Sequence, residues 1–119
     1  MRRLVFVGRL SPEKNPILLV SVAKDVNLPV TFIGSGVQSE IVREMCKLNG
    51  VIVSFSGFVK DPWAETQSGD LLIIPSNNEG DGLVIVEAIQ RGIPLVARDI
   101  PDLTRFGLLD INYFKVTGK

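Results

Sequence analysis

The sequence predicts an α/β domain, a doubly wound parallel sheet with helices over both faces. Short apolar runs alternate with helical patterns along all 119 residues. The strand candidates are continuous apolar runs, as expected of parallel strands buried on both faces. The glycine-rich or charged segments all follow strands, which places them together at the carboxyl edge of the sheet, where such folds gather ligands.

The elements follow in order. Residues 4–7 (Leu-Val-Phe-Val) form a first strand, closed by Gly8-Arg9. A helix over 15–26 accepts Pro16 in its first turn, where a missing N–H costs nothing. Pro29 precedes a second strand at 30–33, which ends in Gly34-Ser35-Gly36. Residues 37–48 form an amphipathic helix with Val37, Ile41, Met45 and Leu48 on one face, expected to be the buried one. A third strand at 51–55 ends at Gly57. Asp61, as N-cap, opens a short helix to about residue 67. A fourth strand at 70–74, a helix at 83–91 capped by Gly92 and a fifth strand at 93–97 come next. Residues 101–106 start a last short helix, and 112–116 are a candidate edge strand.

Composition narrows the chemistry. Thirteen basic residues balance thirteen acidic ones, so no net field draws the chain to nucleic acid or an anionic membrane. The chain has no histidine, which removes Ser-His-Asp triads and histidine-ligated metals together. Its single cysteine, Cys46, can form neither an internal disulfide nor a CxxC site, in keeping with a reducing compartment. Met1-Arg2-Arg3 and the apolar run after it resemble the start of a signal peptide, but the run ends after four residues, short of the roughly 7–15 an h-region needs. A single soluble domain over 1–119, in the cytoplasm, is the expectation. The abrupt start on a strand and the irregular end read as those of a piece of a longer protein.

Three segments could carry chemistry. The first is E-G-D-G-L-V-I-V-E-A, residues 79–88. A helix starting near Gly82 would direct the amides of Gly82, Leu83 and Val84 at an anion, and Gly80 and Gly82 would let a ligand approach the backbone. Glu87 follows roughly 7.5 Å along the axis, suited to ribose hydroxyls, while Glu79 would face whatever the phosphate carries. The competing reading makes Glu87 an i,i+4 partner of Arg91 and residues 79–82 a polar turn.

The second is G-R-L-S-P-E-K-N, residues 8–15, where Arg9 could bind a diphosphate bidentately and Lys14 as a point charge. The alternative is two solvated loop charges. The third, F-I-G-S-G-V-Q-S at 32–39, begins like a dinucleotide fingerprint, but Ser39 stands where the third glycine belongs. Trp63 is expected to pack the short helix, and Met45 and Cys46 to lie in or near the core. There is no D-x-D pair to clamp a metal–diphosphate, and Glu79-Gly80-Asp81 reads as a turn.

In combination, G-R-L-S-P-E-K-N, F-I-G-S-G, F-S-G-F and P-S-x-x-E-G-x-G-L-x-x-x-E-A followed by G-I-P-L-V-A resemble the family 4 (group 1) retaining glycosyltransferases of the GT-B fold, from about Leu4 to Pro101. The resemblance is to most of the C-terminal, donor-binding domain, a Rossmann-like half. It implies that the N-terminal acceptor domain and the last C-terminal elements lie outside this chain. It further implies that Arg9 and Lys14 neutralise a diphosphate leaving group, that Glu79 faces the donor sugar, and that Glu87 holds the ribose. Backbone after Gly80 and at Gly82, Leu83 and Val84 would touch phosphates or sugar, and Gly57-Phe58-Val59 would lie beside the base.

The implied substrate is a nucleoside-diphosphate sugar, with UDP-sugar favoured and neither cofactor nor metal required. The acceptor is a glycan or lipid-linked chain in bacterial surface polysaccharide or lipopolysaccharide synthesis, with the full-length protein at the inner face of the membrane. Asp81 departs from the aromatic or small apolar residue that members often carry between the two glycines. It would either tune sugar choice or face solvent. A non-catalytic α/β nucleotide-binding or regulatory module, and a GT-B sugar-nucleotide epimerase, are the alternatives.

Overall fold

A computed structural model gives the chain as a parallel sheet with helices on both faces, and describes residues 3–80, 82–108 and 112–115. The strands are β1 (Arg3–Val7), β2 (Val30–Ile33), β3 (Val53–Gly57), β4 (Asp70–Ile74), β5 (Leu95–Arg98) and β6 (Tyr113–Phe114). The helices are α1 (Pro16–Val26), α2 (Ser39–Leu48), α3 (Leu83–Gln90) and α4 (Pro101–Thr104), with a 3-10 turn at Pro62–Glu65. The sheet runs β3-β2-β1-β4-β5-β6, with every neighbouring pair parallel. This is the doubly wound α/β fold that the alternation of apolar runs predicts. Its order reverses at β1, and the loops after β1 and β4 diverge there to open a crevice.

Side-chain alternation along each strand divides the core in two. Leu4 and Phe6 face α1 and α2, packing with Leu19, Val20, Ala23, Phe32, Val42 and Cys46. Val5 points the other way, towards Ile85 and Ala88 of α3, with Trp63, Leu72, Ile74 and Leu103.

Two strands start later than expected because the preceding helix claims their first residues. The Val51 N–H donates to Cys46 O at 2.9 Å, closing α2, so β3 begins at Val53. Likewise Ile93 donates to Ala88 O at 3.0 Å behind Gly92, and β5 begins at Leu95. The short helix is a 3-10 turn whose N-cap, Asp61, makes no side-chain capping bond. The edge strand forms as the pair Tyr113–Phe114 against β5, while Val116 and Asp81 lie outside the described residues.

The expected buried face of α2 is corrected. Val42 and Cys46 are fully buried, whereas Val37, Ile41 and Leu48 are 86%, 48% and 81% exposed. The helix begins only at Ser39, so Val37 precedes it. The side laid on the sheet is the one carrying 42 and 46, and residue 41 is a rotation of about 100° away from 42.

At the amino edge of the sheet one cation joins three strands. Arg3 donates from Nε to Asp70 Oδ1 at 2.8 Å, from Nη2 to Asp70 Oδ2 at 3.0 Å and from Nη1 to Thr31 Oγ1 at 2.8 Å. The same Nη2 reaches Glu65 O, and Asp70 Oδ2 also accepts the Gln67 N–H at 2.7 Å. Asp70 is buried, with 2% of its side chain exposed, and its bonds hold the Arg3 guanidinium above its ordinary pKa. Removing one partner of such a pair strands a buried charge, which typically costs 3–5 kcal/mol. Arg3→Ala should therefore lower unfolding free energy by about 3 kcal/mol, read as a fall in urea midpoint at constant slope.

Burial raises the Cys46 thiol pKa and shields the sulfur, so the native fold disfavours its reaction. Labelling of this single cysteine by a maleimide should track global unfolding, with a rate in urea far above that of the native chain.

Candidate functional site

The crevice at the switch point is built from two loops, 8–15 after β1 and 75–82 after β4. The first is pinned by close backbone packing. Gly8 donates to Ile33 O at 3.0 Å, Leu10 to Ser35 O at 3.0 Å, and Gln38 to Leu10 O at 2.9 Å. A Cβ on Gly34 would stand 1.9 Å from Gly8 O, and one on Gly36 would meet the Leu10 backbone at 2.5 Å. The Gly34-Ser35-Gly36 turn is therefore a packing device that lets the β1 and β2 loops touch.

Asn77 ties the second loop to the first. Its N–H donates to Glu13 O at 2.9 Å and its Nδ2 to Pro12 O at 3.0 Å, while its Oδ1 accepts from Arg98 Nη1 at 2.7 Å. That join brings two of the predicted residues into contact. Lys14 Nζ lies 3.2 and 3.1 Å from the two carboxylate oxygens of Glu79, whose Oε1 also accepts from Ser76 Oγ at 3.3 Å. The Glu79 side chain is 7% exposed and that of Lys14 30%.

The main chain of Glu79 is gripped separately, from α4 and the residue after it. Its N–H donates to Asp102 Oδ2 at 3.1 Å, and Arg105 Nη2 donates to the carbonyls of both Glu79 and Gly80. Gly82 is the N-cap of α3 at φ 66°. A Cβ on Gly82 would fall 2.3 Å from the Phe106 ring, so Glu79, Gly80 and Gly82 are all backed by residues 102–106.

Beside Lys14 opens a cleft of about 520 Å³, lined by Arg9 and Lys14 on one side and by Ile33, Phe58, Val59 and Pro62 on the other. Arg9 is exposed, and Phe58 is 84% exposed. Gly57, at φ 71°, ends β3 and accepts the Gly34 N–H at 2.9 Å, which sets the direction in which Phe58 and Val59 leave the sheet. Glu13, on the same loop as Lys14, is held below the usual carboxylate range chiefly by a backbone hydrogen bond, with Arg9 and Lys14 adding to the effect.

Glu87 has a partner that neither reading of the sequence named. It accepts a hydrogen bond from Trp63 Nε1 at 3.0 Å. Arg91 does not pair with its carboxylate: Nη1 donates to the Glu87 backbone carbonyl at 3.1 Å, and the guanidinium lies 5.6 Å from the Trp63 ring. The apolar residues around Glu87 are not uniformly buried either. Ile85 and Ala88 are in the core, but Leu83, Val86 and Ile89 are 56%, 41% and 54% exposed. Glu87 is thus a half-buried carboxylate at the side of the helix, joined to the residue next to Pro62 in the cleft wall.

The structure therefore gathers Arg9, Lys14, Phe58 and Val59 around one cleft, with Glu79 on Lys14 and Glu87 on Trp63. Sequence reasoning missed Asn77, Asp102, Arg105 and the Trp63–Glu87 bond. Only Trp63 carried a usable signal, since a buried indole N–H needs an acceptor. No group of three or more His, Cys, Asp or Glu side chains suited to a metal occurs among the described residues, and no helix among them is long and apolar enough to cross a membrane.

Comparison with known proteins agrees with this fold. The chain is 34% identical over 106 residues to the sulfoquinovosyl transferase SQD2 of Arabidopsis thaliana, covering 84% of this chain and 20% of that protein. It superposes on HepE of Anabaena, solved in complex with UDP and glucose, with a TM-score of 0.79 at 25% identity, over 98% of this chain and 34% of HepE. In fold it also matches the C-terminal domain of a group 1 glycosyl transferase from Francisella tularensis, with a TM-score of 0.71 at 18% identity, over 98% of this chain and 68% of that domain. The chain spans between 20% and 31% of the length of the curated relatives it matches. The family described as glycosyl transferases group 1 matches residues 2–105, and the chain belongs to that family.

Proposed function

We propose that this chain is the donor-binding part of a retaining glycosyltransferase. It would hold a nucleoside-diphosphate sugar, UDP-sugar by preference, for transfer to a glycan or lipid-linked acceptor in bacterial surface polysaccharide synthesis. In the full-length protein the acceptor is met by an N-terminal domain at the inner, cytoplasmic face of the membrane. The observation that carries the reading is the meeting of Lys14 and Glu79 at the switch point, beside a cleft that Lys14 shares with Arg9. The UDP and glucose held by HepE support the donor class.

In this reading the donor's diphosphate lies against Arg9 and Lys14. Breaking the bond between the anomeric carbon and the diphosphate oxygen leaves negative charge on that oxygen, and fixed cations stabilise it as it forms. The start of α3 at Gly82, Leu83 and Val84 adds the positive end of the helix dipole. These groups do the work of a divalent ion, so no metal or cofactor is required. Glu79 and the backbone at Gly80 face the sugar. Glu87 takes the ribose hydroxyls while keeping its Trp63 bond, and the base lies along Gly57-Phe58-Val59 with Ile33 beneath it.

Ligand-observed NMR with UDP, GDP and ADP checks this directly. One of the three should bind, and Arg9→Ala or Lys14→Ala should weaken it by about tenfold or more, since a charge-assisted bond contributes roughly 1.5–3 kcal/mol. A folded chain that binds none of them would sink the reading.

Trp63 is the only tryptophan, and its indole N–H rests on Glu87. The bound nucleotide should therefore change its fluorescence, and Glu87→Gln should weaken binding and alter the emission of the free chain. An emission indifferent to saturating nucleotide would remove Glu87 from the site.

A further inference from the structure

Lys14 has an anion already. Its ammonium sits within 3.2 Å of both oxygens of Glu79, so the seat proposed for the diphosphate is filled by the chain's own carboxylate. A diphosphate reaching Lys14 must share the ammonium with that carboxylate or displace it. Two like charges so close, one of them 7% exposed, repel strongly because little water screens them.

Glu79 cannot escape by moving its loop. Its N–H is held by Asp102, its carbonyl by Arg105, and Asn77 fastens the loop to Glu13 and Pro12 on the far side. What remains is rotation of the side chain, away from Lys14. Of its partners among the described residues only the Ser76 hydroxyl, at 3.3 Å, is its own neighbour, and one neutral bond is poor compensation for a buried carboxylate.

We infer that Glu79 is a selectivity residue: it makes the crevice favour a nucleoside diphosphate that carries a sugar over one that does not. The inference rests on the donor-site reading given above. A sugar-bearing diphosphate supplies hydroxyl donors to the displaced carboxylate and so repays the loss of Lys14. A bare diphosphate supplies none, and Glu79 competes with it for the ammonium. The same competition favours departure of the nucleoside diphosphate once its sugar has been transferred, because Glu79 then recovers Lys14.

The test is calorimetric titration of the 119-residue chain with UDP, GDP and ADP and with the glucose ester of each, taking the pair that binds. The wild type should bind the sugar nucleotide more tightly than the bare nucleotide. Glu79→Gln keeps the shape and removes the charge, and should tighten the bare nucleotide by about fivefold, the scale of a partly exposed ion pair. It should leave the sugar nucleotide unchanged or weaker, so the preference narrows or inverts. Glu79→Asp, one methylene short of Lys14, should tighten the bare nucleotide in the same direction, which guards against a folding defect in either variant.

In the wild type, a carbon-13-labelled Glu79 carboxyl resonance should shift when the bare nucleotide is added. Bare-nucleotide affinity unchanged or reduced in both variants, with wild-type binding intact, overturns the inference and leaves the donor site standing. Absence of binding by the wild type to all six ligands would instead overturn the donor site and this inference with it.

Discussion

The reversal of winding at β1 is the constraint on which the rest of the molecule depends. Parallel strands need long crossovers, and each crossover lays its helix on one face of the sheet. Running outward from β1 in one direction puts α1 and α2 on one face, and running outward in the other puts α3 on the opposite face. The loops after β1 and β4 therefore leave the sheet in opposite directions, and the gap between them cannot be filled by either helix layer. The cations of one loop and the acidic turn of the other face each other because of this topology, with no special feature of either loop required.

What each loop adds is stiffness. Gly34 and Gly36 allow backbones to touch where any side chain would collide, so the β1 loop is braced by the β2 loop. The acidic turn is braced from behind by Asp102, Arg105 and Phe106, and sideways by Asn77. Preorganisation of this kind keeps charged groups in place against their own repulsions and against water, which makes fixed charges effective at a reacting centre. The sheet's other edge carries a separate tie, Arg3 with Asp70, which anchors β1 to β4 below the crevice and takes no part in it.

Most of the fold was legible because it rests on local signals. Continuous apolar runs marked β1, β2 and β4, and Pro16 and Gly92 marked helix ends through their restricted or left-handed backbones. Boundaries slipped where a helix end and a strand start compete for the same amide, as at Val51 and Ile93. The buried side of α2 differs from the expected one because an apolar residue on a helix need not face the sheet, and the face laid down is the one whose Val42 and Cys46 join the core. In the candidate site, the position of Arg9, Lys14 and Glu79 at the carboxyl edge of the sheet was legible because each lies in a segment that follows a strand. The contacts that hold them were not, since Asp102 and Arg105 lie more than twenty residues from the turn they grip, and no period connects them.

Phe106 lying on Gly82 has an evolutionary corollary. Position 82 is closed to side chains twice over, by a left-handed backbone and by an aromatic ring standing where a Cβ would be. The two positions are thus one unit of inheritance: a relative that places alanine at 82 must shrink or turn the residue at 106. It must also find another way to begin α3. Paired change at 82 and 106 across the family would record this contact without any structure being solved.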